Sequence, residues 1–294
     1  MHVSLHELTT EARGASSPAM ARGILAEAQE LFRNALDHGE TAVDLGIWYS
    51  RTLQEWADSP AVTELVDGAR LVFTGPVARL DALPTDPLSW IIIGASPEGN
   101  KRLRQFVEGM DLTVVDLEDP GTDREWEARA EAAAREGDHR KVAMFVDTGF
   151  LRDPALAELL IEPSVRHLPP TLRLADGLPD YSTPVDVQGT LIDPVVEVAR
   201  WAGLLAGTTD GDTHHRLTQA QAQGVLTEDE AQALNQTWDT GLALELRRWR
   251  FNAWDADTSM RSLPSLDRSA YGAAARLVSV ALRSIAGRHD IPVS

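Results

Sequence analysis

The sequence predicts an α+β protein: N-terminal helices, a small mixed α/β domain, then an all-α helical bundle. Three observations predict it. Apolar residues recur at three-and-four spacing before residue 66, short β-branched runs cluster between residues 71 and 115, and from Pro194 onward only helical periodicity is left. With 294 residues, 43% hydrophobic and 24% charged, the chain can bury two cores of ordinary size.

Ile24, Leu25, Ala28, Leu31, Phe32, Ala35 and Leu36 line one helix face, which Asp37-His38-Gly39 ends. Ala42, Leu45, Tyr49, Leu53 and Trp56 line a second, closed by Ser59-Pro60 because the residue before proline avoids helical angles. Residues 1–66 are therefore expected to be a helical region. Next come Leu71-Val72-Phe73, Trp90 to Ile93 and Leu112-Thr113-Val114-Val115, each bounded by Gly, Pro or Asp and read as buried strands. Lys101 to Val107 and Arg124 to Arg135 read as helices covering one sheet face, so that residues 67–168 make the mixed domain. Leu168 to Pro184 carries four prolines and Gly177 and reads as a linker. Residues 183–294 read as the bundle, with helices expected at Val195 to Leu205, Thr213 to Gln223, Thr227 to Trp249 and Arg268 to Ile285. Two of their starts are marked, by proline in a first turn at Asp193-Pro194 and by the capping box Thr227 to Glu230.

Composition narrows the function. The most apolar run, Trp90 to Ala95, is far below the ~20 residues of a bilayer-spanning helix. Met1 to Ser17 holds no apolar stretch of signal-peptide length, so a cytoplasmic protein without a membrane partner is expected. No cysteine is present, which excludes disulfides, thiolate metal sites and a cysteine nucleophile. A net charge of −18 repels nucleic-acid phosphates, so no nucleic-acid partner is expected.

The informative stretch is Leu71 to Trp90. A strand leads into Gly75-Pro76, then Ala78-Arg79 and Asp81, then Pro84, Asp86-Pro87-Leu88-Ser89 and Trp90. It resembles the signature of polymerase-beta-type nucleotidyltransferases, and is most similar to the bacterial family related to protein-PII uridylyltransferase. That family's pattern is Gly-Ser-x-Ala-Arg-x-Glu-x-x-Pro-x-Ser-Asp-Leu-Asp-Trp. The alignment has no gaps, with Gly75, Ala78, Arg79, Asp81, Pro84, Leu88 and Trp90 on matching or near-matching positions. In the family, Gly-Ser at a helix start holds the nucleotide's phosphates and the aspartate pair holds magnesium. Here Pro76 replaces the serine, and Pro87 and Ser89 replace the aspartates. Proline offers no ligand, and a serine hydroxyl is a neutral, weak ligand for a hard cation.

The resemblance extends into the second half, through Asp193 to Ala202, Thr213 to Leu217, Gly224 to Ala231 and Leu246-Arg247. These look like the same family's C-terminal helical substrate-binding domain. Asp147 and Pro169-Pro170-Thr171-Leu172 resemble the approach to it.

Two functional readings stay open. In the first, the chain is a catalytically impaired scaffold, without a metal or cofactor, that regulates through a nucleotide, another ligand or a protein partner. In the second, it is an active transferase of UMP or AMP to a protein, using Mg2+ and a nucleoside triphosphate on relocated carboxylates. Asp81, Asp86, Asp116 and Glu118 are the candidates for that relocation. A purely structural interaction module would keep the bundle and need no pocket. Arg200, Arg216 and Arg247 could line a pocket for an anionic ligand, or could form internal salt bridges with Glu197 and Glu245. His214 and His215 diverge by about 100° on a helix and cannot readily share a metal.

Overall fold

The computed structural model describes residues 2–293 except 95, 96, 111, 116, 167, 173, 176, 177 and 251–258, so Asp116 and Trp254 lie outside the described residues. The chain divides into two compact units, Met1–Leu151 and Arg152–Ser294. Among the described residues no helix is long and apolar enough to cross a membrane.

In the first unit four helices precede the sheet: α1 (Val3–Arg13), α2 (Pro18–Asp37), α3 (Ala42–Ala57) and α4 (Pro60–Leu65). Ser17, Thr41 and Ser59 each cap the following helix through a side-chain oxygen, and Pro18 and Pro60 occupy first turns, where a missing N–H costs nothing. Two indoles pin α3 to its neighbours, because a buried indole N–H needs an acceptor. Trp48 Nε1 donates to Leu5 O at 2.7 Å and Trp56 Nε1 to Ala21 O at 3.0 Å.

β1 (Arg70–Phe73) and β2 (Trp90–Ile93) pair antiparallel, with Phe73 opposite Trp90, and α5 (Gly75–Ala78) lies in the connection between them. All four residues of β2 are buried, the pattern of a strand covered on both faces. Leu112 to Val115, expected as a full strand, forms no continuous ladder. It meets the β2 side at the parallel bridges Leu88 to Val114 and Ile93 to Gly121. The β2 side takes five steps between those bridges and the other side takes seven, so the extra chain must leave the ladder. Pro120, which has no N–H to give, lies within the longer path. Helices α6 (Pro97–Glu108), α7 (Asp123–Glu136) and α8 (His139–Asp147) complete the unit. Trp126 of α7 donates its ring N–H to Ile92 O at 2.9 Å. A Thr122/Glu125 capping box starts α7, and Gly137, with φ 68, stops it.

The second unit contains a 3-10 turn (Pro154–Ala157), α9 (Glu158–Arg166), a hairpin of β3 (Leu174–Ala175) and β4 (Leu178–Pro179), and a π-helical turn (Gln188–Ile192) that runs into α10 (Asp193–Leu205). Then follow α11 (Thr213–Ala222), α12 (Glu228–Arg250), a 3-10 turn (Met260–Ser262) and α13 (Ser265–Arg288). The four helices expected from periodicity are present, with ends displaced by a few residues at most. The helices of residues 1–66 and the β1/β2 sheet belong to one compact unit, which ends at Leu151. The segment expected as a linker, Leu168 to Pro184, carries the hairpin, whose Pro179 sits against Gly272 of α13. A Cβ at Gly272 would come within 2.8 Å of that ring.

This partition carries a stability prediction. Ala157, Leu160 and Val165, from the 3-10 turn and α9, are buried, and those two elements neighbour α10. Burying a side chain such as Leu or Val contributes roughly 1.5–3 kcal/mol. A fragment of Arg152–Ser294 is expected to unfold cooperatively by far-UV circular dichroism, whereas one starting at Thr183 loses α9 and melts broadly. A flat melt of the longer fragment would count against a self-sufficient second unit.

Candidate functional site

β1 ends at Phe73 and delivers Thr74 and Gly75 to the start of α5. Gly75 has φ 60, the left-handed region that glycine enters without a Cβ clash. Thr74 stands at the N-cap of α5 but makes no side-chain cap bond, because its hydroxyl is hydrogen-bonded to that of Ser89. Both residues are buried, and Thr74 N also donates to Ser89 O at 2.8 Å. The Ser89 side chain is therefore engaged in a buried hydroxyl pair. Pro76 occupies the first turn of α5 and has no N–H to offer a phosphate.

The segment after α5 is held by α3, which presents Gly46, Ser50 and Gln54 four residues apart on one face. Ser50 Oγ accepts from Ala82 N at 3.0 Å and donates to Gly46 O at 2.8 Å, while Gln54 Nε2 donates to Val77 O at 3.1 Å. A Cβ on Gly46 would lie 3.5 Å from the Asp81 carbonyl, so the two backbones run close together. Leu80 is bent into the left-handed region at φ 62, which costs on the order of 1–3 kcal/mol for a residue of its kind. That turn brings Asp81 back toward Arg79. Arg79 is buried between two buried carboxylates: its Nε donates to Asp81 Oδ2 at 3.3 Å and its Nη1 to Asp147 Oδ2, at the end of α8, at 2.7 Å.

The other carboxylates proposed from sequence lie apart from this group in their bonding. Asp86 closes a turn, its Oδ2 accepting from Leu83 N at 2.7 Å. Burial pushes the phenol of nearby Tyr49 up, a hydrogen bond with Gln29 pulls it back, and the negative charge of Asp86 raises it further. Glu118 faces Lys141 at 3.5 Å. Among the described residues no group of three His, Asp or Glu side chains is arranged to hold a metal ion.

The donor set does not fit a two-carboxylate magnesium site. A hard divalent cation asks for several oxygen ligands, with carboxylates to neutralise it. Pro87 has no side-chain donor, the Ser89 hydroxyl is engaged with Thr74, and Asp81 faces a guanidinium.

In the second unit Arg200, Arg216 and Arg247 each have a protein partner. Arg200 pairs with Glu197 at 2.8 Å, Arg216 Nε donates to Gly211 O at 3.2 Å, and Arg247 pairs with Asp267. The two histidines of α11 separate as the helical angle requires. His214 offsets part of the upward push that burial exerts on Asp239, and His215 packs against Gly211.

Sequence reading missed Thr74, Ser50 and Gln54 as supports of the site. The repeat of Gly46, Ser50 and Gln54 at steps of four along one face of the helix was the signal available.

The family described as "Putative nucleotidyltransferase substrate binding domain" matches residues 150–288, which spans nearly the whole second unit. No curated protein matches the chain.

Proposed function

We propose, taking a second unit similar to nucleotidyltransferase substrate-binding domains as the premise, that this chain is a nucleotidyltransferase-like scaffold with a regulatory role. It binds a ligand or protein partner and has lost nucleotide transfer. One observation carries the reading: at the two positions where magnesium aspartates are expected stand Pro87, which has no ligand, and Ser89, whose hydroxyl is bonded to Thr74. The carboxylates nearest in sequence support it, since Asp81 neutralises Arg79 and Asp86 caps a backbone N–H.

The physical consequence follows from how nucleotidyl transfer is catalysed. The protein does little covalent work, and the rate depends on metal placement and on stabilising charge in the transition state. Removing a single such donor costs on the order of 10²–10³ in rate, and two metal carboxylates are absent here. The expected result is no detectable transfer of UMP or AMP from the triphosphate to a PII-type protein, assayed with radiolabelled nucleotide in magnesium or manganese. Labelling that disappears on replacing Asp81, Asp86, Asp116 or Glu118 by alanine would overturn the reading in favour of relocated carboxylates. Pro87→Asp combined with Ser89→Asp is expected to raise magnesium affinity, read by calorimetry.

A further inference from the structure

In the second unit the chain between the hairpin and the π-helical turn forms a cleft of about 530 Å³, within the range of small-molecule sites. Its walls include Thr171, Leu172, Ser182, Thr183, Asp186 and Thr190, so it is rich in hydroxyls, and among the described residues Asp186 is its one ionisable lining residue. Gly189 and Thr190 belong to the π-helical turn, an insertion in helical geometry found often at functional sites.

Two features make this more than a surface hollow. The first is the Asp186 carboxylate. Its Oδ1 accepts from Gly189 N at 2.8 Å, and its Oδ2 has no hydrogen-bond partner among the described residues. A Cβ at position 189 would lie 2.5 Å from Oδ2, so the glycine is what allows the carboxylate to rest on the turn. The second is Tyr181, the chain neighbour of the lining residue Ser182. The Arg268 guanidinium lies 4.0 Å from the ring centroid, yet the ring stays 51% exposed. Arg268 itself is 3% exposed, forms no ion pair among the described residues, and leaves its Nε without a hydrogen bond. One turn further along α13, the Tyr271 hydroxyl donates to Asp186 O at 3.2 Å, so one helix supports both the platform and the carboxylate.

We propose that this cleft binds a purine nucleoside, with the base stacked on the outer face of Tyr181 and the ribose diol donating to Asp186 Oδ2. A guanidinium beneath the ring withdraws electron density and favours stacking by an electron-rich base, and a purine covers more of the ring than a pyrimidine does. A carboxylate oxygen accepts from two vicinal hydroxyls, and Thr183 contributes a neutral hydroxyl to the same lining. The polar groups on its wall are hydroxyls and a carboxylate, which suit the hydroxyls of a sugar. The proposal rests on the reading of the second unit as ligand-binding and names the ligand class.

Calorimetry on the full chain with adenosine, 2′-deoxyadenosine and uridine tests it. Adenosine is expected to bind saturably below ~1 mM. Tyr181→Ala weakens it by about 10-fold or more, as loss of a base-stacking ring does, while Tyr181→Phe preserves it. Loss of the 2′-hydroxyl weakens binding in the native chain but makes no difference in Asp186→Asn. Absence of saturable adenosine binding, or equal affinity in the native chain and Tyr181→Ala, overturns the proposal. So does uridine binding as tightly as adenosine. Metal-dependent transfer in the labelling assay would end the regulatory reading and leave this result unaffected, so the two failures are separable.

Discussion

Arg79→Met is expected to lower the stability of the first unit by about 3–5 kcal/mol, the cost of breaking a buried ion pair from one side. The substitution keeps much of the apolar stem but removes the guanidinium that faces Asp81 and Asp147, leaving two buried carboxylates without their cation. A residue in that position must either be protonated or draw water in, and either requires the segment after α5 to move. The size of the effect comes from the orphaned acids and not from the attraction lost, because a complete buried ion group roughly balances its own desolvation. The triple variant Arg79→Met, Asp81→Asn, Asp147→Asn therefore recovers a large part of the loss. Urea denaturation followed by circular dichroism measures both. A loss below about 1 kcal/mol in the single variant would show that the triad does not hold the site together.

The second large effect is expected at Glu230, buried at the start of α12. Its Oε2 accepts from Thr227 N at 2.9 Å and from Arg288 Nη2 at 2.6 Å, and its Oε1 from Arg288 Nε at 3.2 Å. Burial alone would raise its pKa. The hydrogen bonds from Thr227, Ser284 and Arg288, with the charge of Arg288, outweigh burial and hold the carboxyl below its ordinary 4.5. A depressed folded-state pKa means that the unfolded chain binds the proton more readily. The stabilisation is therefore present above the unfolded value near 4.5 and is lost as pH falls through the lower folded value. Arg288→Ala is expected to cost about 3 kcal/mol near neutral pH, since it leaves a buried carboxylate with its hydrogen bonds but without its cation. It also raises the Glu230 pKa, so the acid loss begins at higher pH. Glu230→Gln flattens that limb. An unchanged stability slope between pH 5 and 3 in Glu230→Gln would show that another carboxylate controls acid unfolding.

The helices were legible because their evidence is local. Ile24 to Leu36 and Val195 to Leu205 repeat apolar residues at helical spacing, and Pro194 and the Thr227 to Glu230 capping box mark starts that depend on no distant residue. The strand segments Leu71 to Phe73 and Trp90 to Ile93 were equally readable, since each is a contiguous apolar run with β-branched residues bounded by Gly, Pro or Asp. Leu112 to Val115 has the same β-branched composition and still does not form a full strand, because the register of a partner and the path through Pro120 decide whether a ladder can continue.

What the sequence by itself determined is the strongly periodic helices, the strand segments at Leu71 to Phe73 and Trp90 to Ile93, and that Pro87 and Ser89 bring no carboxylate, because each is written in contiguous residues. The tertiary structure alone decided which groups face one another. Arg79 could have paired with any of several acids, and its burial against α8 selected Asp147, 68 residues away. The Ser89 hydroxyl met Thr74 through strand pairing, and Tyr181 came to lie on Arg268 through the packing of the hairpin on α13. The residues that contribute to a buried polar pair or a stacked ring leave no periodic trace, since their partners are chosen by which surfaces the packed elements bring within a few ångströms and remove from water.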